Sequence, residues 1–261
     1  ALDLALSDYK KNHKNCNIKV IENFSITDEG ALFQYIKKES LFLYTENKII
    51  IGINRSNFAR IAAKAAEGSN LIGISSAAFT DELKKINPRF LSVSLPWQKQ
   101  WEQSKIKMNA LGCTSINTLG IFTYRDVLSK HFKKGFNEGN YYQTIHVDDF
   151  VKYPSKALEF KKCIYMGTSL PGSLSSLTTI YKHRWNGFVI GMGDWTFYTP
   201  EMKEFLKRAP ERKFRIFASL VWEKTENRRT EEWVKVHFLS DGNDVEPVTI
   251  GIYDSAILAL N

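Results

Sequence analysis

The chain holds 261 residues, 43% of them hydrophobic and 25% charged, so it can bury a sizeable core and is neither disordered nor fibrous. Its 36 basic and 28 acidic residues leave a net charge of +8, but Lys and Arg are spread from Lys10 to Arg229, which argues against a nucleic-acid footprint. The longest apolar stretches, such as residues 49–53, fall far short of the roughly 18 residues that a membrane-crossing helix needs, so none is expected.

In chain order, residues 1–12 read as a helix; their start lacks the basic, apolar and small-residue succession of a secretion signal. A strand at 18–21, a helix at 28–39, a strand at 48–53 and a helix at 57–67 follow, then strands at 71–74 and 90–93. A helix at 98–111 leads to a strand at 118–123, a helix at 127–137, and strands at 143–147 and 163–167. The series closes with a helix at 173–183, a strand at 188–191, a helix at 200–208 and a strand at 215–220. Short apolar runs alternating with helical periodicity define an α/β class of strand, crossover helix and strand, with right-handed crossovers.

Punctuation supports several boundaries. Gly68, Gly112 and Gly187 follow helical segments, where a left-handed C-terminal position favours glycine. Ser94-Leu95-Pro96-Trp97 breaks a strand and opens a helix, as a crossing between lobes would; a second crossing is expected near 220–223. Cys16, Cys113 and Cys163 are isolated in sequence, so neither a disulfide framework nor a zinc site is expected. Trp97, Trp101 and Trp185 are assigned to core packing, and the basic group at 208–215 to a salt-bridged surface.

Ligands of open parallel sheets meet the loops at the carboxyl ends of strands, and four such loops stand out. Ser56 follows the apolar strand 48–53 and precedes an Ala-rich helix; as an N-cap it either holds an anion at the helix start or simply caps it. The loop Ser75-Ser76-Ala77-Ala78-Phe79-Thr80 begins with small residues that admit a ligand to the backbone. Met166-Gly167-Thr168-Ser169-Leu170-Pro171-Gly172-Ser173 is again a strand end, with Ser173 as the capping serine. After strand 188–191, Asp194 and Trp195 either pair with and cover an ammonium group or belong to an ordinary turn. No nucleophile elbow, phosphate loop, zinc-protease helix or dinucleotide fingerprint is present, and the five histidines fall at unrelated places, so no enzyme, metal or cofactor is expected.

The succession KIIIGINRSNFARIAAKAA, LIGISSAAFTDEL, INTLGIFTYRD, CIYMGTSLPGSLSSL, FVIGMGDWTF and GIYDSAILAL resembles the type I periplasmic binding fold of the leucine/isoleucine/valine-binding protein family. The resemblance implies a two-lobed α/β architecture, each lobe a mostly parallel sheet flanked by helices. One lobe would comprise 1–94 plus 223–261 and the other 95–222, with hinge crossings near 94–97 and 220–223. It also places the family's first strand ahead of Ala1 and its last hinge strands beyond Asn261.

By the same resemblance an amino-acid carboxylate would meet Ser56, Ala77 and Phe79, and its ammonium would meet Asp194, with Ser169 at the family's aromatic position. Phe79 replaces a hydroxyl residue of the family, and Thr80 stands next to it. A shorter loop after Thr123 brings Tyr124 and Arg125 to the cleft mouth, where Arg125 either meets an anionic ligand or lies on the surface. The implied function is an extracytoplasmic binding protein or lipoprotein of the bacterial cell envelope. It would close on a small polar ligand, an amino acid or a similar amide or carboxylate, and serve a membrane transporter or receptor. The alternative is a non-transport interaction module of the envelope, of the cell-wall-synthase regulator type, whose cleft is filled by its own side chains, Phe79 among them.

Overall fold

The computed structural model describes residues 2–12, 26–41, 48–53, 55–75, 82–94, 96–124, 127–141, 143–193 and 199–219, together with Tyr253, Ser255, Ala256, Leu258 and Ala259. The expected strand at 18–21 and the crossing at 220–223 lie outside these residues. The chain divides into two compact units, Ala1–Leu95 with Lys224–Asn261, and Pro96–Glu223.

In the first unit α1 (Leu2–Asn12) and α2 (Glu29–Leu41) precede β1 (Ile49–Ile51), α3 (Ser56–Ala65), β2 (Ile72–Ser75), α4 (Leu83–Ile86) and β3 (Phe90–Ser92). The described strands form a parallel sheet of order β1-β2-β3, in register from Ile49 against Ile72 and from Gly73 against Phe90. On α3 the buried residues Ala59, Ala62 and Ala63, with Ala66 at its C-cap, recur at i, i+3, i+4 and i+7, a stripe of methyl groups that lets the helix approach its neighbours closely. Leu32 and Ile36, one turn apart on α2, complete this core with Leu71, Leu83 and Phe90. Asp28 starts α2 by accepting the Ala31 N–H at 2.7 Å. Asn87 is buried, and its amide donates to the Ala63 and Ala66 carbonyls (3.3 and 3.2 Å) while its oxygen accepts the Arg89 N–H (3.0 Å). One side chain thus satisfies the end of α3 and fixes the turn into β3. Tyr253, from the C-terminal segment, donates to Asp8 of α1 at 2.9 Å.

In the second unit α5 (Trp97–Ala110), β4 (Thr118–Phe122), α6 (Val127–Glu138) and β5 (Thr144–His146) lead into two short helices, α7 (Val147–Lys152) and α8 (Pro154–Leu158). They are followed by β6 (Cys163–Gly167), α9 (Leu170–Lys182), β7 (Phe188–Gly193), α10 (Pro200–Arg208) and β8 (Arg215–Ser219). The sheet is parallel, of order β5-β4-β6-β7-β8. Its central strands β4 and β6 are buried throughout, as their unbroken apolar runs require. Leu119, Ile121, Ile164, Met166 and Val189 face a core closed by Phe150, Leu177, Ile180, Met202 and Phe214. Phe122, Tyr165 and Ile190 face the other way, into an aromatic layer with Trp97, Trp101, Phe132 and Phe136. The burial of Trp97, Trp101 and Trp185 agrees with the packing role expected of them.

Three local expectations are corrected. The strand expected to reach 147 stops at His146, because the His146 ring accepts the Asp148 N–H at 3.2 Å and Asp148 and Asp149 favour a helix start. Gly68 and Gly112 do adopt positive φ (79° and 67°), but Gly187 does not. There the left-handed position falls to Arg184 (φ 51°), whose N–H bonds to the Tyr181 carbonyl while that of Trp185 bonds to Ile180. Gly187 is needed for space instead: a β-carbon would strike the Trp185 ring and the Lys162 carbonyl.

The third correction concerns the cysteines. Cys113 and Cys163, 50 residues apart, form a disulfide with a Cα–Cα distance of 5.9 Å. Their partnership depends on tertiary placement. Gly112 ends α5 in the left-handed conformation and turns Cys113 inward, its N–H bonded to the Met108 carbonyl at 2.9 Å. Both Cys163 and Lys162 then bond through their N–H groups to the Asn117 carbonyl, which sets the first residue of β6 beside the end of α5.

Candidate ligand-binding site

In the first unit the carboxyl ends of the three strands are tied to one another. Gly52 turns the chain at φ 86°, in open space, so the backbone conformation and not a steric limit selects glycine. The Ser75 hydroxyl donates to the Ile53 carbonyl, and the Val93 N–H donates to the Ser75 carbonyl at 3.0 Å. Ser56 is not the cap. Arg55, in extended backbone (φ −105°, ψ 135°), takes that position without a side-chain cap bond, and Ser56 is the first helical residue. The helix thus begins one residue earlier than expected, with Ser56 in its first turn. The first backbone bond of α3 runs from the Ala59 N–H to the Arg55 carbonyl, so the N–H groups of Ser56, Asn57 and Phe58 precede any intrahelical donor. Asn57 in turn donates to Glu29 at 2.5 Å, which places a carboxylate beside this helix start. Ala77, Phe79 and Thr80 lie outside the described residues.

In the second unit the strand order reverses between β4 and β6. From β4 the chain goes to β5 on one side, returns past β4 to β6, and continues outward to β7 and β8. A crevice at such a switch point opens at the carboxyl ends of the two central strands. The loop after β4 supplies Thr123 and Tyr124, and the loop after β6 supplies Thr168 and Ser169. Ser169 is the N-cap of α9, though its hydroxyl makes no cap bond. Pro171 belongs in a first turn by its fixed φ, and the helix therefore begins at Leu170, ahead of the expected 173. Ser173, expected to cap, is instead buried inside α9 with its hydroxyl 2.8 Å from that of Thr168. Gly172 lets this turn settle on both loops, since a β-carbon there would stand 2.8 Å from Thr123 Oγ1 and 3.2 Å from Thr168 Cβ. Ser129, at the start of α6, donates to the last carbonyl of β6, Gly167, at 2.7 Å. Thr123 Oγ1 is buried and has no hydrogen-bond partner.

Tyr124 takes a different direction. Its ring stacks near Phe122 (6.2 Å, 16°), lies 5.4 Å from the His146 ring of β5, and carries the Lys133 ammonium 3.7 Å from its centroid. It therefore leans toward β5, on the side of β4 away from β6 and Ser169. Arg125, Asp194 and Trp195 lie outside the described residues. The sequence marks the loop of Thr168 and Ser173, with Ser173 read as a cap, but not Thr123 as a site residue; the signal for Thr123 is a hydroxyl residue directly after the last apolar residue of a central strand. Among the described residues no cluster of three or more His, Cys, Asp or Glu side chains is placed to hold a metal ion.

This is the type I periplasmic binding protein fold. An ABC-transporter substrate-binding protein from Desulfitobacterium hafniense in complex with Leu superposes with a TM-score of 0.76 at 13% identity, over 99% of this chain and 77% of that one. The branched-chain amino acid transporter substrate-binding protein of Streptococcus pneumoniae, in complex with isoleucine, gives 0.73 at 15% identity, over 100% and 76%. A solute-binding protein of an ABC transporter from R. palustris, in complex with benzoate, gives 0.70 at 13%, over 99% and 74%. At these identities the likeness is one of fold. Neither a family model nor a curated protein sequence matches the chain.

Proposed function

We propose that the chain is an extracytoplasmic binding protein that closes its two units around a small polar ligand bearing a carboxylate, an amino acid or a similar acid, for uptake or sensing. The observation that carries the reading is the β4/β6 switch point, where the buried Thr123 hydroxyl lacks a partner beside the first turn of α9. A helix start favours negative charge, and a hydroxyl without a partner in the protein is one that a ligand oxygen can satisfy. Ser56 and the first turn of α3 supply a second set of donors at the strand ends of the first unit. Ala77, Phe79, Thr80, Arg125, Asp194 and Trp195 extend the proposed site, with Asp194 and Trp195 receiving an ammonium group. The hinges are proposed near 94–97 and 220–223. Binding would act by favouring the closed arrangement over the open one.

Two further facts support this reading. The fold is shared with solute-binding proteins whose complexes hold leucine, isoleucine and benzoate. The Cys113–Cys163 disulfide suits an oxidising compartment, and so an envelope location with a membrane transporter or receptor as partner. A thermal-shift screen of amino acids, amides, aromatic and aliphatic acids and sugars tests it, because a ligand that binds only the folded state raises stability with its concentration. The expected result is a selective rise for one acid class, weakened in Thr123→Ala and Ser56→Ala. A flat screen on folded protein overturns it.

A further inference from the structure

The opposite end of the second unit, where the amino ends of its strands lie, has a different chemistry. Phe160 and Ile116 are 87% and 81% exposed, among the most exposed large apolar side chains of the described residues. Phe160 also holds a left-handed backbone (φ 57°), a conformation that costs stability for a bulky residue and is not offset by burial of its ring. Their two segments are joined at this end of the sheet: the Lys161 ammonium donates to the Ile116 carbonyl and the Lys162 N–H to the Asn117 carbonyl, each at 2.8 Å.

From there the rim is continuous. Trp185 Nε1 donates to the Lys161 carbonyl at 3.0 Å, Phe188 N to that of Lys162 at 3.0 Å, and Arg215 N to that of Gly187 at 2.9 Å. Behind it a cavity of about 360 Å³ is lined by Lys182, Arg184, Arg212 and Lys213 with one carboxylate, Glu211. The sequence suggests a salt-bridged surface at 208–215; among the described residues Arg208 alone of that group forms an ion pair, with Glu204 at 2.7 Å. Arg212 reaches a backbone carbonyl, and among the described residues Lys162, Lys182, Arg184 and Lys213 pair with no carboxylate.

We propose that this rim docks on an anionic lipid surface, with Phe160 and Ile116 entering the interface and the cavity cations taking phosphate headgroups. Single apolar side chains that protrude among cations suit a lipid surface, which needs no complementary groove, and the excess of cations matches its charge. The inference stands apart from the ligand reading above, since it uses the other end of the strands.

The test is cosedimentation with phosphatidylcholine vesicles with and without about one third phosphatidylglycerol. Binding is expected only to the anionic vesicles, and is expected to weaken as salt rises from about 0.05 M to about 0.5 M. Arg184→Gln and Lys213→Gln should each lower affinity about fivefold. Phe160→Gly should lower it about tenfold while leaving the melting temperature unchanged or higher, because glycine accepts the left-handed backbone. Absence of binding at low salt, equal binding to both vesicles, or full affinity in Phe160→Gly overturns the proposal. So does retention on immobilised polyglutamate without vesicle binding, which would point to an acidic protein surface.

Discussion

Thr123 Oγ1 stands 2.8 Å from the point where a β-carbon on Gly172 would lie, so the end of β4 and the first turn of α9 meet at the closest approach that glycine alone allows. Gly172→Ala is expected to destabilise the protein by about 1 to 3 kcal/mol through overpacking. Thr123→Ala alone should be close to neutral, because the hydroxyl it removes is buried and unpaired. In the double variant the alanine at 172 gains the space vacated at 123, and much of the loss should be recovered. Denaturant midpoints of the four proteins measure this coupling; additive effects would show that the contact is not what limits residue 172.

Asn87 makes three hydrogen bonds from a buried position. Asn87→Ala leaves two helix carbonyls and one N–H without that partner, and should cost about 2 kcal/mol or more in urea unfolding. Hydrogen exchange should show the loss first at the end of α3.

Tyr165 is fully buried on β6 with its hydroxyl unpaired, and burial holds its phenol well above the ordinary value of 10.0. Below pH 10 both folded and unfolded chains keep the proton and this group leaves stability unchanged with pH. Above it the unfolded chain releases a proton that the folded chain retains, so stability falls by about 1.4 kcal/mol per pH unit. Tyr165→Phe should remove that share of the alkaline slope and add about 1 kcal/mol at neutral pH, by eliminating an unsatisfied buried group. A smaller slope should remain from Tyr141, which burial also raises.

The disulfide closes a loop across 50 residues. Replacing both Cys113 and Cys163 by serine should cost about 4 kcal/mol on loop-entropy grounds, read from denaturant unfolding. Peptide mapping should find both sulfurs inert to a thiol reagent until the protein is reduced.

The periodicity of the sequence was enough to read most of the architecture. The helix expected at 200–208 matches α10 (Pro200–Arg208), and the strand expected at 163–167 matches β6, because apolar runs and capping residues act over a few positions. Misreadings arose where a distant contact decides the outcome. The cap of α3 falls on Arg55, one residue ahead of Ser56, and Arg184 takes the left-handed turn expected of Gly187, whose place is fixed by the Trp185 ring and the Lys162 carbonyl. The cysteine pair has no local signature. In the candidate site, Ser169 was legible as a strand-end residue, but the role of Thr123 depends on its fit against Gly172. The sideways lean of Tyr124 depends on Lys133 and His146, which no local pattern links to it.

The aromatic layer behind β4 and β6 also gives the protein an internal optical label. Trp101 stands edge-on to Tyr165 at 5.2 Å and to Tyr141 at 5.8 Å, in a fixed asymmetric cage of rings. Of the six tryptophans, five fall within Pro96–Glu223 and only Trp233 within the other unit. Emission and near-ultraviolet dichroism will therefore follow the melting of one unit almost alone, while far-ultraviolet dichroism follows both. A separation between the two curves would measure how strongly one unit's folding depends on the other's.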